Sequence, residues 1–215
     1  ITAIDLSMAS LAYAKRKTQE LGITNIDYRQ GDILDLGKME RRFDLIESIG
    51  VLHHLSDPIA GWRVLRGLLK PRGLMLIALY SAVARAPLHA CKSQLGLEPV
   101  KQDIDTVREA RERIRPLFTG TVLETVDASP DFYSLGACRD LLFHKVEHCY
   151  NLPDIKSMLG ELNLDFLGFQ MPTIAVGERY VAAYPNDLEM NNLDNWHEFE
   201  LANPWLFQGM YFMWL

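Results

Sequence analysis

Residues 43–55 read FDLIESIGVLHHL, and this stretch limits what the chain can fold into more than any other. Its first half alternates and then runs apolar through Phe43, Leu45, Ile46 and Ile49, the pattern of a buried parallel strand. At Gly50 it breaks into a turn carrying Val51, Leu52, His53 and His54. Asp57 and Pro58 then supply a cap and a first helical residue for a helix over 59–69, with Ile59, Trp62, Leu65 and Leu69 at helical spacing. Strand, loop and helix in that order predict an open α/β sheet. The loops after the carboxyl ends of such strands line the ligand crevice, so the residues after Ile49 are where chemistry is expected.

The rest of the chain fits this frame on both sides. Residues 1–5 read as a strand with no cap, turn or polar tail before it, so an upstream segment is expected. Ser7 can cap a helix over 8–21 with Met8, Leu11, Ala12 and Leu21 on one face, and Gly22 supplies its left-handed stop. A strand follows at 26–29. Pro71, Arg72 and Gly73 turn the chain into a strand over 74–80. The strand–helix rhythm then stops, and 82–151 reads as a helical insertion. Within it, 103–115 is amphipathic, with Ile104, Val107, Ala110 and Ile114 inward and Pro116 as the break. The rhythm resumes with a helix over 153–162, a strand over 164–170, helices over 174–183 and 193–202, and a closing strand over 210–214. With 215 residues, 48% of them hydrophobic, one sizeable core with an elaboration is expected, hence a single domain with parts 1–81, 82–151 and 152–215.

Four pieces carry a resemblance: ITAIDLS with Asp5, QGDI with Gly31 and Asp32, the FDLI…GVLHHL block, and LLKPRGLMLIALYS. In this order and spacing, over residues 1–81, they resemble class I S-adenosylmethionine-dependent methyltransferases. The resemblance implies a Rossmann-like sheet with an antiparallel last strand inserted beside the preceding strands. It also implies a glycine-rich loop after a first strand, and no GxGxG stretch occurs in the 215 residues. That strand and loop are therefore expected upstream of Ile1, and without them two neighbouring strands would have unpaired edges. The family usually has glycine where Arg72 stands, so a type I turn is expected there in place of a type II turn. The later CRDLLFHKVEHCYNLPDI and NPWLFQGMYFMWL look like the C-terminal region of bacterial methyltransferases often fused to tetratricopeptide repeats, which allows for such repeats upstream.

The same resemblance assigns a cofactor site. Asp5, with Leu6 after it, would accept hydrogen bonds from the two ribose hydroxyls of S-adenosylmethionine, since a carboxylate offers two oxygens to two adjacent donors. Asp32 would accept from the adenine amino group, with Gly31 in the turn and the Ile33 backbone on the ring. Ser48, Ile49 and Gly50 would meet the methionine portion. Each also has a plainer reading: Asp5 as a turn or cap aspartate before Ser7, Asp32 as a solvated turn, and Gly50 as strand-end geometry. Adjacent strands lie about 4.8 Å apart, so Asp5 and Asp32 should stand side by side.

Three histidines are candidates for catalysis or acceptor contact. His53 could be a general base, or part of the loop packing along with His54. Asp140, His144 and His148 lie at i, i+4 and i+8, which would align them on one helical face flanked by Arg139 and Tyr150. That face could touch an acceptor or be satisfied by its neighbours. No metal site is expected, because no cysteine or second acid completes a ligand set. Arg108, Arg111, Arg113 and Arg115 read as a solvated face balanced by Glu109 and Glu112.

A net charge of −6 argues against a bulk nucleic-acid partner. No apolar run approaches the roughly 20 residues of a membrane span, and no signal peptide is evident. Cys91, Cys138 and Cys149 lack CxxC spacing, which fits reduced cytoplasm. Methyl transfer from S-adenosylmethionine to a small-molecule or protein acceptor is the expected function. An NAD-dependent oxidoreductase would share Asp5 but has no use for Asp32, and a noncatalytic interaction module would bind neither cofactor.

Overall fold

The computed structural model describes residues 1–97, 103–121, 123–127 and 130–215; residues 98–102, 122, 128 and 129 of the expected insertion lie outside it. The described residues form two compact units, 1–46 with 57–75, and 47–56 with 76–215. Among them, no helix is long and apolar enough to cross a membrane.

The first unit begins with strand β1 (Thr2–Asp5), helix α1 (Met8–Glu20) and strand β2 (Asp27–Gln30). Ser7 caps α1 as expected, its side chain accepting from the Ser10 amide, and Gly22 adopts the left-handed conformation at φ 70°. The predicted inward face of α1 is thinner than expected, because only Leu11 is buried while Met8 and Leu21 lie exposed. β1 and β2 pair in parallel with Asp5 opposite Gln30. A 3-10 turn (Ile33–Lys38), which alternation could not reveal, leads to strand β3 (Phe43–Ile49). Helix α2 (Pro58–Leu68) has the predicted Asp57 cap on the Ala60 amide and buries Trp62, Leu65 and Leu68.

β3 departs from the reading of a buried strand: Leu45 and Ile49 are each 46% exposed. Within the described residues its hydrogen-bonded neighbour is β4, and β1 has β2 for its neighbour, so each strand has one paired edge. Side chains on a strand with one neighbour lose the lateral cover that a second strand gives.

Strand β4 (Leu69–Ser81) starts five residues before the predicted one. The type I turn expected at Pro71–Gly73 is overturned, since Arg72 sits at φ 62°. A side chain there costs about 1 kcal/mol or more. The neighbouring Gly73 has no room for a Cβ, which would meet the Leu69 side chain at 2.9 Å and the Asp44 carbonyl at 3.0 Å. The glycine is thus used where space is short, and Arg72 takes the left-handed bend.

The second unit adds α3 (Ala82–Gln94), α4 (Ile104–Ile114), the short α5 (Glu124–Asp127) and α6 (Pro130–Tyr133), and α7 (Leu135–Phe143). These helices of the insertion share a core in which Leu88, Ile114, Phe118, Phe132 and Leu142 are almost fully buried. Val107, Ala110 and Ile114 face it as predicted, whereas Ile104 at the first helical position lies 57% exposed. Next come β5 (Cys149–Tyr150), α8 (Leu152–Leu162), β6 (Gly168–Phe169), α9 (Ile174–Ala183), α10 (Leu193–Ala202) and β7 (Met210–Trp214). The strand expected over 164–170 shrinks to two paired residues, Gly168 opposite Trp214 and Phe169 opposite Met213. β7 runs antiparallel between β4 and β6, as the resemblance implied. β5 pairs in parallel with the last two residues of β4, Tyr80 opposite Cys149 and Ser81 opposite Tyr150.

Candidate functional site

In the first unit the two acids stand where two parallel strands end. The Gly31 amide donates to the Asp5 carbonyl at 3.2 Å, so Gly31 and Asp32 leave β2 directly beside Asp5. Each carboxylate closes its own turn: Asp5 Oδ1 accepts from the Ser7 amide at 2.7 Å, and Asp32 Oδ1 from the Leu34 amide at 2.9 Å. The plainer reading of both residues therefore holds for one oxygen each. Among the described residues no donor reaches Oδ2 of either. Leu6 is 67% exposed, and its carbonyl accepts from the Gln30 side chain at 3.0 Å. Ile33 opens the 3-10 turn that Asp32 caps.

In the second unit, Ser48 is buried with no partner for its hydroxyl among the described residues, Ile49 is half exposed, and Gly50 sits at φ 72° with nothing within 4 Å of where a Cβ would stand. Backbone conformation, not crowding, requires that glycine. His53 and His54 form a 3-10 turn immediately after it. His53 is fully buried and stacks on Tyr80 with 3.8 Å between ring centroids. Burial, assisted by neighbouring His54, pushes its pKa down to about 3, so the ring is neutral. The structure thus places His53 in packing.

The predicted row of Asp140, His144 and His148 does not form. α7 ends at Phe143 and His144 is already extended, at φ −62° and ψ 130°, so the i, i+4, i+8 spacing spans a helix end. The released segment folds onto the histidine turn instead. His54 Nδ1 donates to the Val146 carbonyl at 2.9 Å, His144 Nδ1 lies 2.7 Å from the same carbonyl and 3.4 Å from the Val146 amide, which donates to it, the two rings stack 3.6 Å apart, and the His148 amide donates to the His53 carbonyl at 2.9 Å. A carbonyl only accepts, so the His54 ring carries a proton on Nδ1. His148 lies 6.5 Å from Tyr150 with rings nearly parallel, while Arg139 pairs with Asp140 at 3.5 Å on the surface. Arg108 and Arg115 are solvated as expected but pair with Asp105 and Asp127, whereas Arg111, only 19% exposed, pairs with Glu112 as expected.

Pinning 144–148 places Glu147 in a cluster that spacing did not announce. Arg85 donates to both its oxygens, Nε to Oε1 at 3.1 Å and a terminal nitrogen to Oε2 at 2.7 Å, and His89 Nε2 reaches Oε1 at 2.8 Å. The Arg85 and Glu147 side chains are 8% and 7% exposed, that of His89 44%. Burial alone would raise the Glu147 pKa; the His89 hydrogen bond and the Arg85 charge outweigh it and hold the carboxyl far below the usual range. Arg85 also lies 4.0 Å over the Tyr80 ring. Cys149 donates to Glu147 Oε1 at 3.7 Å, and burial followed by the Glu147 charge pushes its thiol up to about 12. His89, Glu147 and Cys149 bring one ligand atom each within 4.8 Å, a metal-like trio that the reading of no metal set did not foresee. As found, Arg85 already neutralises the carboxylate and the thiol is protonated, so the trio is a hydrogen-bonded set. The legible signal was Arg85 and His89 at i, i+4, which share a helix face.

A second buried carboxylate ties α10 to the sheet. Glu200 is 0% exposed and accepts from Ser81 Oγ at 2.5 Å and from the Tyr211 hydroxyl at 2.7 and 2.9 Å. Ser81 Oγ in turn accepts from the Ala84 amide and caps α3. Burial raises the Glu200 pKa, and the Ser81 and Tyr211 hydrogen bonds, with the neighbouring His197, only partly oppose this.

An α/β fold with a mixed sheet, acids at adjacent strand ends and an antiparallel last strand defines the class, and comparison with known proteins agrees. Residues 1–119 match the family model described as a methyltransferase domain. The chain belongs to the methyltransferase-domain family. It is 31% identical over 178 residues to an uncharacterized protein of Synechococcus sp., a match covering 79% of this chain and 42% of that protein. It is 32% identical over 98 residues to a ubiquinone biosynthesis O-methyltransferase of Cereibacter sphaeroides, covering 46% of this chain and 38% of that one. The structure of PKMT2 from Rickettsia typhi in complex with AdoHcy shares the fold with a TM-score of 0.67 at 16% identity, over 99% of this chain and 43% of that one. The chain thus spans less than half the length of these relatives.

Proposed function

We propose that this chain binds S-adenosylmethionine and supports transfer of its methyl group to a nucleophilic acceptor. The observation that carries this is the pair Asp5 and Asp32, brought beside each other by the parallel register and the Gly31 to Asp5 hydrogen bond. Each spends one oxygen on its own backbone and keeps the other clear of protein donors among the described residues. Residues of this kind fit the cofactor: Asp5 Oδ2 suits a ribose hydroxyl, and Asp32 Oδ2 an amino group on the adenine. The cofactor, when bound, supplies a methyl on a sulfonium, already a good leaving group. What the chain adds is position: holding the acceptor in line behind the methyl can supply about 7 kcal/mol or more of the barrier.

Calorimetric titration tests this. Wild-type chain should bind S-adenosylmethionine and not NAD, and Asp5→Ala should weaken binding by about tenfold or more, because ribose donors are left without an acceptor. Binding of NAD in place of S-adenosylmethionine, or equal affinity in Asp5→Ala, would overturn the reading.

A further inference from the structure

Three donor atoms of different chemistry converge on one point of the second unit. Arg85 donates to both oxygens of Glu147 and keeps it an anion, so Glu147 can only accept. Its Oε1 takes the His89 Nε2 proton at 2.8 Å and the Cys149 thiol proton at 3.7 Å, and the three atoms lie within 4.8 Å of one another. Two protons thus fill the space between a nitrogen, a sulfur and an oxygen. We propose that His89, Glu147 and Cys149 form a binding site for a borderline-soft divalent cation of the zinc type, which takes the place of those two protons. All three residues belong to the second unit, and the site does not rest on the S-adenosylmethionine reading.

Each ligand is anchored separately. His89 rides on α3, Cys149 is set by its pairing with Tyr80 of β4, and Glu147 stands between Val146 and His148, both tied to the histidine turn by backbone hydrogen bonds. A cation therefore does not have to gather its ligands. The spacing also fits. Bonds of about 2.0–2.3 Å to a tetrahedral zinc put ligand atoms about 3.3–3.6 Å apart. The sulfur and Oε1, 3.7 Å apart, already stand close to this, and His89 Nε2 has to withdraw from Oε1 by about half an ångström from 2.8 Å. Its half-exposed side chain has room for that, while Glu147 stays enclosed.

The donor set selects the cation. One thiolate, one imidazole and one carboxylate suit zinc and its neighbours. Magnesium and calcium take oxygen ligands, and would find here a single carboxylate already paired with Arg85. On binding, the Cys149 S–H bond breaks and its proton goes to solvent, while the His89 proton moves from Nε2 to Nδ1 and leaves the Nε2 lone pair to the metal. Enclosure and the Glu147 charge keep the free thiol protonated, and a cation between the two cancels the second of these causes. Arg85 retains Oε2 at 2.7 Å and so orients the ligating carboxylate from outside. Lys92, the other cation nearby, donates to the Leu141 carbonyl at 3.4 Å. Three protein ligands leave a fourth position for water.

The test uses the full chain, freed of metal by chelation and titrated first with cobalt(II) and then with zinc. Cobalt(II) should bind with one ion per chain and give a sulfur-to-metal charge-transfer band beside strong visible bands of tetrahedral cobalt, and zinc should bleach both. Cys149→Ser should lose the charge-transfer band, whereas Cys91→Ser should keep it. His89→Gln should weaken zinc binding by about a hundredfold or more, since even the outer partners of a ligand are worth ten- to a hundredfold. Zinc should also raise the thermal midpoint of the wild-type chain and not that of His89→Gln, a half-exposed substitution that keeps the test decisive if Cys149→Ser does not fold. No charge-transfer band in the wild-type chain, the same band in Cys149→Ser, unchanged zinc affinity in His89→Gln, or an equal rise in midpoint with magnesium would overturn the proposal.

Discussion

Asp5 and Asp32 in the first unit and Glu147 and Glu200 in the second are all carboxylates near strand ends, yet they are built in opposite ways. The aspartates are solvent-accessible, each closing a turn with one oxygen and leaving the other clear of donors among the described residues. The glutamate side chains are enclosed, and both oxygens of each are taken by protein donors: a guanidinium and an imidazole on Glu147, two hydroxyls on Glu200. An exposed acid costs little to keep ionised and little to turn toward a ligand. An enclosed one is tolerable only with its partners, so it fixes neighbours in place. The first arrangement suits binding; the second suits holding a helix, a strand or another side chain in register.

Breaking the enclosed pair should give the largest effect. Arg85→Ala leaves Glu147 without its cation and should cost about 3–5 kcal/mol of stability, read as a fall in the urea midpoint. A loss no greater than that of a surface substitution would mean Glu147 is not held as described. Tyr211→Phe removes a donor from Glu200 and should cost about 1–3 kcal/mol in the same measurement.

Acidity sharpens the contrast between the two glutamates. Glu147 has its folded pKa below the ordinary 4.5, so its contribution is present above that value and is lost as pH falls through and below it. Glu200 has its folded pKa above 4.5, so its contribution is complete below the ordinary value and is lost as pH rises. The stability deficit of Glu147→Gln relative to wild type should therefore shrink on acidification below about pH 4.5, whereas Glu200→Gln should gain on wild type as pH rises above about 4.5. Parallel pH profiles for the two variants would contradict the assignment. The smallest stability change belongs to the open pair: Asp5→Ala loses one exposed turn hydrogen bond and should cost about 1 kcal/mol or less, even while it weakens S-adenosylmethionine binding. A stability loss as large as that of Arg85→Ala would make Asp5 a structural residue.

Much of this was legible because it is local. Ser7 and Asp57 capping, Gly22 stopping α1, helices 174–183 and 193–202 and the strand 210–214 all follow from caps and periodicity, and the structure agrees with each. The motifs around Asp5, Asp32 and Gly50 carried the family. Periodicity misled where helix spacing was assumed to continue: Asp140, His144 and His148 have the numbers of one face, but His144 leaves the helix to join His54 on the Val146 carbonyl, 92 residues from that turn.

The sequence alone determines the strand–helix order, the caps, the two strand-end aspartates and the family they belong to, since each depends on residues within a turn or two of one another. Only tertiary structure decides that Arg85, His89, Glu147 and Cys149 meet, that Ser81 and Tyr211 hold Glu200, and that Arg72 takes the left-handed bend. Glu147 is 58 residues from His89, and Glu200 119 from Ser81. Spacing within one element carries no trace of such pairs, because what selects them is the cost of leaving a buried charge or a crowded backbone unmet once the chain has packed.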